Sequence, residues 1–151
     1  MNIEQLETEL ILPDFTNDNA LELGLIIINH AKAQNVPVGI LIERNNVPIF
    51  NFLMDGTSKE YIQWLYRKKM IVDHYNKSSA FIAARFSPKE IASEVNWLIS
   101  PLESQVLGGS LPLCIKNVGM VRSITVASTS GILDHEYVIE GVRQFIHLHE
   151  D

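Results

Sequence analysis

At 151 residues, with 46% apolar and 20% charged side chains, the chain fits one globular domain with enough length to bury a core without staples. Its net charge of −6 and pI near 5.3 repel phosphate backbones and anionic lipid, which excludes nucleic acid and membrane as expected partners. The single cysteine, Cys114, cannot form an intrachain disulfide, and Met1-Asn2-Ile3-Glu4-Gln5 shows no secretory pattern, so the expected compartment is the cytoplasm.

In chain order, residues 3–11 predict a short helix carrying Ile3, Leu6, Leu10 and Ile11, broken by Pro13. Asn17 or Asp18 is the expected N-cap of a second helix running to about Gln34. Its run Leu21 to Ile28 is far short of the roughly 20 apolar residues that cross a bilayer. It is apolar over more than one stripe, which predicts burial against a sheet and a neighbour. Val38–Arg44 and Pro48–Met54 read as strands joined by Asn45-Asn46, residues that tolerate the positive φ of a hairpin turn. Asp55-Gly56-Thr57-Ser58 ends that hairpin and caps a long helix over 58–76. After an apolar run from Ala80 to Phe86, Ser87-Pro88-Lys89-Glu90 has the pattern of a helix start and predicts a helix to about Trp97. Residues 98–110 read as irregular. Leu111–Lys116 and Met120–Ala127 form a second hairpin around Asn117-Val118-Gly119, and a last helix is expected from about His135 to His147. Two hairpins separated by a helical crossover predict an antiparallel or mixed sheet with helices on both faces, an α/β (α+β) fold in one domain over residues 1–151. Four strands are visible, and a fifth is expected near 80–86 or 98–106.

Several short stretches carry a likeness. They are Ala20–Leu25 with Val36-Pro37-Val38; Gly56-Thr57-Ser58 with Trp64, Arg67-Lys68-Lys69 and Val72; Ser78-Ser79; and Gly108-Gly109, Leu111-Pro112, Val118-Gly119, Ile124-Thr125-Val126 and Asp134-His135. In this order and at these distances, residues 20–146 resemble the GlcG/HbpS family, the haem-degrading domain family that includes the C-terminal domain of PduO, and within it the cytoplasmic branch. The resemblance implies a profilin-like layered fold, assembly into homo-oligomers, and a site for haem or another small ligand. Two departures stand out. Arg122 occupies a position where the family usually has glycine, and Val126-Ala127-Ser128-Thr129 replaces a Val-Ser-Gly turn.

The chemistry-bearing residues each admit two readings. Arg67-Lys68-Lys69 lie about 100° apart on a helix, so they cannot all face one way. Lys69–Asp73 and Asp73–Lys77 have the spacing of ordinary surface pairs. Alternatively, one or two of the triplet face a subunit interface or a carboxylate such as a haem propionate, which arginine suits best. Asp134 reads as the N-cap of the last helix with His135 exposed, or else His135 is a ligand or acid–base group oriented by its neighbour. His74 near a helix C-terminus reads as a structural or surface residue, or else as a ligand for haem iron. Arg122 shares a strand face with Met120, Ile124 and Val126, which places it in a cavity or an interface if that face is core. Gly108-Gly109 permits a sharp turn or the close approach of a ligand, and matches no phosphate-binding motif. His147 and His149 read as a frayed end, Cys114 as buried and unreactive, and Glu43, Asp55 and Glu94 as unpaired carboxylates.

The expected role is a cytoplasmic homo-oligomer binding a small ligand, haem or a similar carboxylated molecule. Arg67, Lys68, His74, Gly108, Gly109, Arg122, Asp134 and His135 are the candidate ligand contacts. No catalytic residue and no metal set is assigned. The alternative is an adaptor oligomer using Tyr61, Trp64, Trp97 and Tyr137 as anchors; a haem-degrading enzyme ranks last.

Overall fold

The computed structural model describes residues 8–85 and 108–150. Among these residues five strands form one sheet: β1 (Ile11–Leu12), β2 (Gly39–Arg44), β3 (Val47–Leu53), β4 (Ser110–Ile115) and β5 (Gly119–Ala127), in the order β1-β4-β5-β2-β3. The helices are α1 (Asn17–Ala33), α2 (Lys59–Tyr75), α3 (Ser79–Arg85) and α4 (Gly131–Leu148). The α/β architecture expected from the two hairpins is the one observed.

Both hairpins turn where expected. Asn45 and Asn46 take φ of 54° and 66°, and Asn117 and Gly119 take 65° and 100°. These are left-handed values that Asn and Gly adopt at little steric cost. β5 runs antiparallel between β4 and β2, pairing Ile124 with both Leu111 and Ile42. The fifth strand among the described residues is not at 80–85, and the other expected place, 98–106, lies outside the described residues. That strand is β1, two residues pairing parallel to β4 through Ile11–Cys114 and Leu12–Ile115, which makes the sheet mixed. Ile11 is therefore extended, not helical; residues 3–7 of the helix expected there lie outside the described residues. The 80–86 run is helical where described, as α3, whose first turn is held by the Phe81 N–H donating to Ser78 Oγ at 3.0 Å. The helix expected from Ser87 to Trp97, and the irregular stretch up to residue 107, also lie outside the described residues.

α1 and α4 cover one sheet face. Ile40, Ile42, Leu111, Leu113, Ile124 and Val126 meet Ala20, Leu23, Ile27, Val138, Val142 and Phe145 there in a single apolar core. α2 covers the other face, where Leu41, Leu65 and Ala127 form a smaller cluster. Thr16, not Asn17 or Asp18, caps α1: its Oγ1 accepts from Asn19 N–H, while Asn19 Oδ1 accepts from Thr16 N–H. α4 begins at Gly131, one turn earlier than expected, with Ser130 as its N-cap.

Candidate functional site

The α2 face of the sheet is polar where the pleat alone would allow an apolar one. Glu43 on β2, Ser123 and Thr125 on β5 and Ser110 on β4 are all buried, and α2 places Lys68 and Lys69 over them. Lys68 is 1% exposed. Its Nζ lies 2.5 Å from Asp134 Oδ2 and 3.3 Å from the Val126 carbonyl oxygen. Asp134 Oδ2 also accepts the Ser128 N–H at 3.0 Å. Asp134 is thus a buried clasp joining α2, the end of β5 and the first turn of α4, not the helix cap expected of it. Burial pulls the Lys68 ammonium below the usual lysine pKa, against the opposing pull of Asp134. Lys69 Nζ lies 2.7 Å from Glu43 Oε1 and 3.1 Å from Asp73 Oδ2. Burial disfavours its charge, but the two carboxylates outweigh burial and raise its pKa. Glu43, read in the sequence as unpaired, is one of those carboxylates.

Gly108-Gly109 sits against this clasp. A Cβ on Gly109, whose φ is 127°, would lie 2.5 Å from the Val126 oxygen and 2.8 Å from Asp134 Cβ; one on Gly108 would lie 2.6 Å from the Gly131 oxygen. Only glycine lets β4 start this close to α4. Ser79 fastens α3 to the same point, its Oγ accepting Ser110 N–H at 3.0 Å, and Ser110 Oγ meets Thr125 Oγ1 at 2.8 Å. Asp134 Oδ1 and Ser123 Oγ are buried with no hydrogen-bond partner among the described residues.

His135 follows directly. Burial lowers its pKa below the usual histidine value, although Glu136 pulls the other way, so the ring favours its neutral form. It lines two cavities. One, of about 460 Å³, opens between α3 and α4 among Ala80, Ala83, Gly108, Gly131 and Ile132. The other, of about 450 Å³, lies between α1 and α4 beside His30, Gln34, Tyr137 and Arg143. A haem held through histidine needs that imidazole neutral for the iron and is helped by cations for its carboxylates. His135 meets the first need, and Arg143, an exposed guanidinium 3.0 Å from Glu140, lines the second cavity. Lys68 is already paired with Asp134.

Of the expected contacts, Lys68, Gly108, Gly109, Asp134 and His135 converge. Arg67 is half-buried on α2. His74 is exposed at the far end of α2, its ring edge-on to Tyr75. Arg122 lies on the α1/α4 face between Leu113 and Arg44, with its Nε buried and unpartnered among the described residues. It is four residues from Val126, about 13 Å along the strand. Of the proposed adaptor anchors, Tyr61 and Trp64 pack on each other and on the smaller cluster, Tyr137 is buried in the main core, and Trp97 lies outside the described residues. Among the described residues no helix is long and apolar enough to cross a membrane, and no group of three metal-ligating side chains forms.

Residues 15–143 match the family described as haem degrading protein HbpS-like. The chain belongs to the HbpS-like family. A UPF0303 protein of Streptomyces coelicolor is 31% identical over 144 residues, 95% of this chain and 91% of that protein. A UPF0303 protein of Yersinia pseudotuberculosis is 30% identical, over 96% of this chain and 85% of its own length. Among solved structures, Ybr137w superposes with a TM-score of 0.88 at 21% identity, over 97% of this chain and 86% of that one. A complex of PduOC with haem superposes with a TM-score of 0.73 at 11% identity, over 85% and 93%. At those identities the likeness is one of fold alone.

Proposed function

We propose that this HbpS-like chain is a self-associating cytoplasmic protein that binds haem, or a similarly carboxylated planar ligand, beside His135. The observation that carries the proposal is a histidine held toward its neutral form where two cavities meet, on a turn fixed by the buried Lys68–Asp134 pair. The solved PduOC–haem complex, of the same fold, supports haem as the ligand. When bound, the iron would take a fifth ligand from a neutral imidazole. His135 would supply that nitrogen, Arg143 would pair with a carboxylate, and Gly108 and Ala80 would leave room for a flat face. Lys68 and Asp134 would act by holding the turn.

Hemin titration tests this. The native chain is expected to give a saturable Soret shift, and His135→Ala to lose it while keeping its far-UV circular dichroism. No saturable shift up to tens of micromolar hemin would remove haem as the ligand.

A further inference from the structure

α1 presents a second pattern that its own core does not use. Leu23 and Ile27 are fully buried, yet Leu21 and Leu25 keep 50% and 46% of their surface exposed, and Ile28 is only half-buried. Asp18, Leu21, Leu25, Ile28 and Lys32 follow one another at intervals of three or four residues, so they share a single stripe along the helix. Asp18 and Lys32 are both exposed, one at each end. The stripe is symmetric about Leu25. Lys32 and Asp18 each stand seven residues from it, Ile28 three and Leu21 four, so acid, apolar, apolar, apolar, base reads in complement from the opposite end.

We infer that a second copy of this chain docks on this stripe, antiparallel, across a two-fold axis at Leu25. A two-fold interface places the same patch on both subunits, so each residue must suit its symmetry mate. Here Leu25 meets Leu25, Leu21 meets Ile28, and Asp18 meets Lys32 twice. Antiparallel helices also bring opposite dipole ends together. Beside Ile28 and Lys32, a groove of about 410 Å³ runs between α1 and the edge strand β3, walled by Val36, Phe52 and Met54. Phe52 is 47% exposed. The partner's Leu21, opposite Ile28, enters this groove, which extends the contact from one helix to the sheet edge. The inference rests on the self-association part of the function proposed above and names the surface that carries it.

The test reads mass in solution, without hemin, so its failure is distinct from a failure of haem binding. Asp18→Lys or Lys32→Asp alone sets two like-charged pairs across the axis, and each is expected to weaken association roughly tenfold. The double reversal Asp18→Lys/Lys32→Asp restores the pairs and is expected to restore association. Because a lysine in the first turn opposes the helix dipole, circular dichroism accompanies each variant. Leu25→Cys is expected to cross-link two subunits on mild oxidation, whereas Ile132→Cys, exposed on α4 away from the axis, is not. A monomeric native chain at micromolar concentration would overturn both this inference and the self-association reading. An assembly indifferent to both single reversals, or Leu25→Cys subunits that stay uncoupled, would overturn this interface and leave self-association standing.

Discussion

The two faces of the sheet solve the same burial problem with opposite chemistry. On the α1/α4 side, Ile40, Ile42, Ile124 and Val126 meet leucine, isoleucine and phenylalanine, and these apolar side chains need no specific partner. On the α2 side, the alternate residues of the same strands are Glu43, Ser123 and Thr125, buried under Lys68 and Lys69. A buried charge is tolerated only when paired, so this face depends on single contacts where the other depends on volume. The first should fail by losing one partner and the second by losing packing. That difference also explains where the site lies: the polar layer ends at Asp134, and His135 begins the surface beyond it.

The largest expected effect tests the polar face. Asp134→Ala leaves the buried Lys68 ammonium without its counter-charge, with only the Val126 carbonyl to accept from it, and removes the acceptor of the Ser128 N–H; it should lower unfolding free energy by about 3–5 kcal/mol in a urea titration. Replacing both partners, as Lys68→Met/Asp134→Leu, should recover most of that loss, because no uncompensated charge remains. A loss below about 1 kcal/mol for Asp134→Ala would mean that water reaches the pair and that the two faces do not differ as described.

The same contrast separates what the sequence discloses from what it hides. Apolar alternation in β2 and β5 and the Asn-rich and Gly-containing turns are local signals, and they place both hairpins and the long helix. The N-terminus of α4 has no single local signal, because Ser128, Thr129, Ser130 and Asp134 are all cap-forming types and only packing decides which one caps. β1 is invisible because two residues have no period; its pairing with β4 spans about a hundred residues of chain. Short apolar runs such as 80–86 do not distinguish strand from helix by pattern alone. In the site, Gly108-Gly109 and Asp134-His135 stand out as motifs. The burial of Lys68 does not, since its partner is 66 residues away and a basic triplet ordinarily faces solvent. The alternation that sets Glu43, Ser123 and Thr125 on one face is the local signal that α2 must bring charge inward.

On the apolar face the sharper test is volume. Ile27→Ala should remove about 2–5 kcal/mol, since Ile27 is fully buried between α1 and α4. Gly141→Ala adds volume at the same place: its Cβ would lie 2.5 Å from Ile27 Cγ1, and the overpacking should cost about 1–3 kcal/mol. The double variant should lose less than the sum, because truncating Ile27 makes room for the added methyl. Strict additivity would show that the helices move apart instead, and that this face is not packed as tightly as the comparison requires.

The smallest effect lies at the boundary between the two regimes. Burial sets the folded pKa of His135 below the 6.5 of an unfolded chain. As pH falls through 6.5, the unfolded state takes up this proton first, so folding stability declines until the folded ring protonates too, and below that point the His135 contribution to the slope vanishes. The slope cannot exceed one proton, about 1.4 kcal/mol per pH unit. His135→Gln should remove it, leaving a flatter stability profile just below pH 6.5 than the native chain shows. The same displacement bears on ligand binding: a ring that stays neutral below pH 6.5 should hold hemin affinity level into that range. If hemin affinity instead falls from pH 6.5 downward with the slope of one proton, the ring titrates as though in water, and the burial assigned to His135 does not govern its proton.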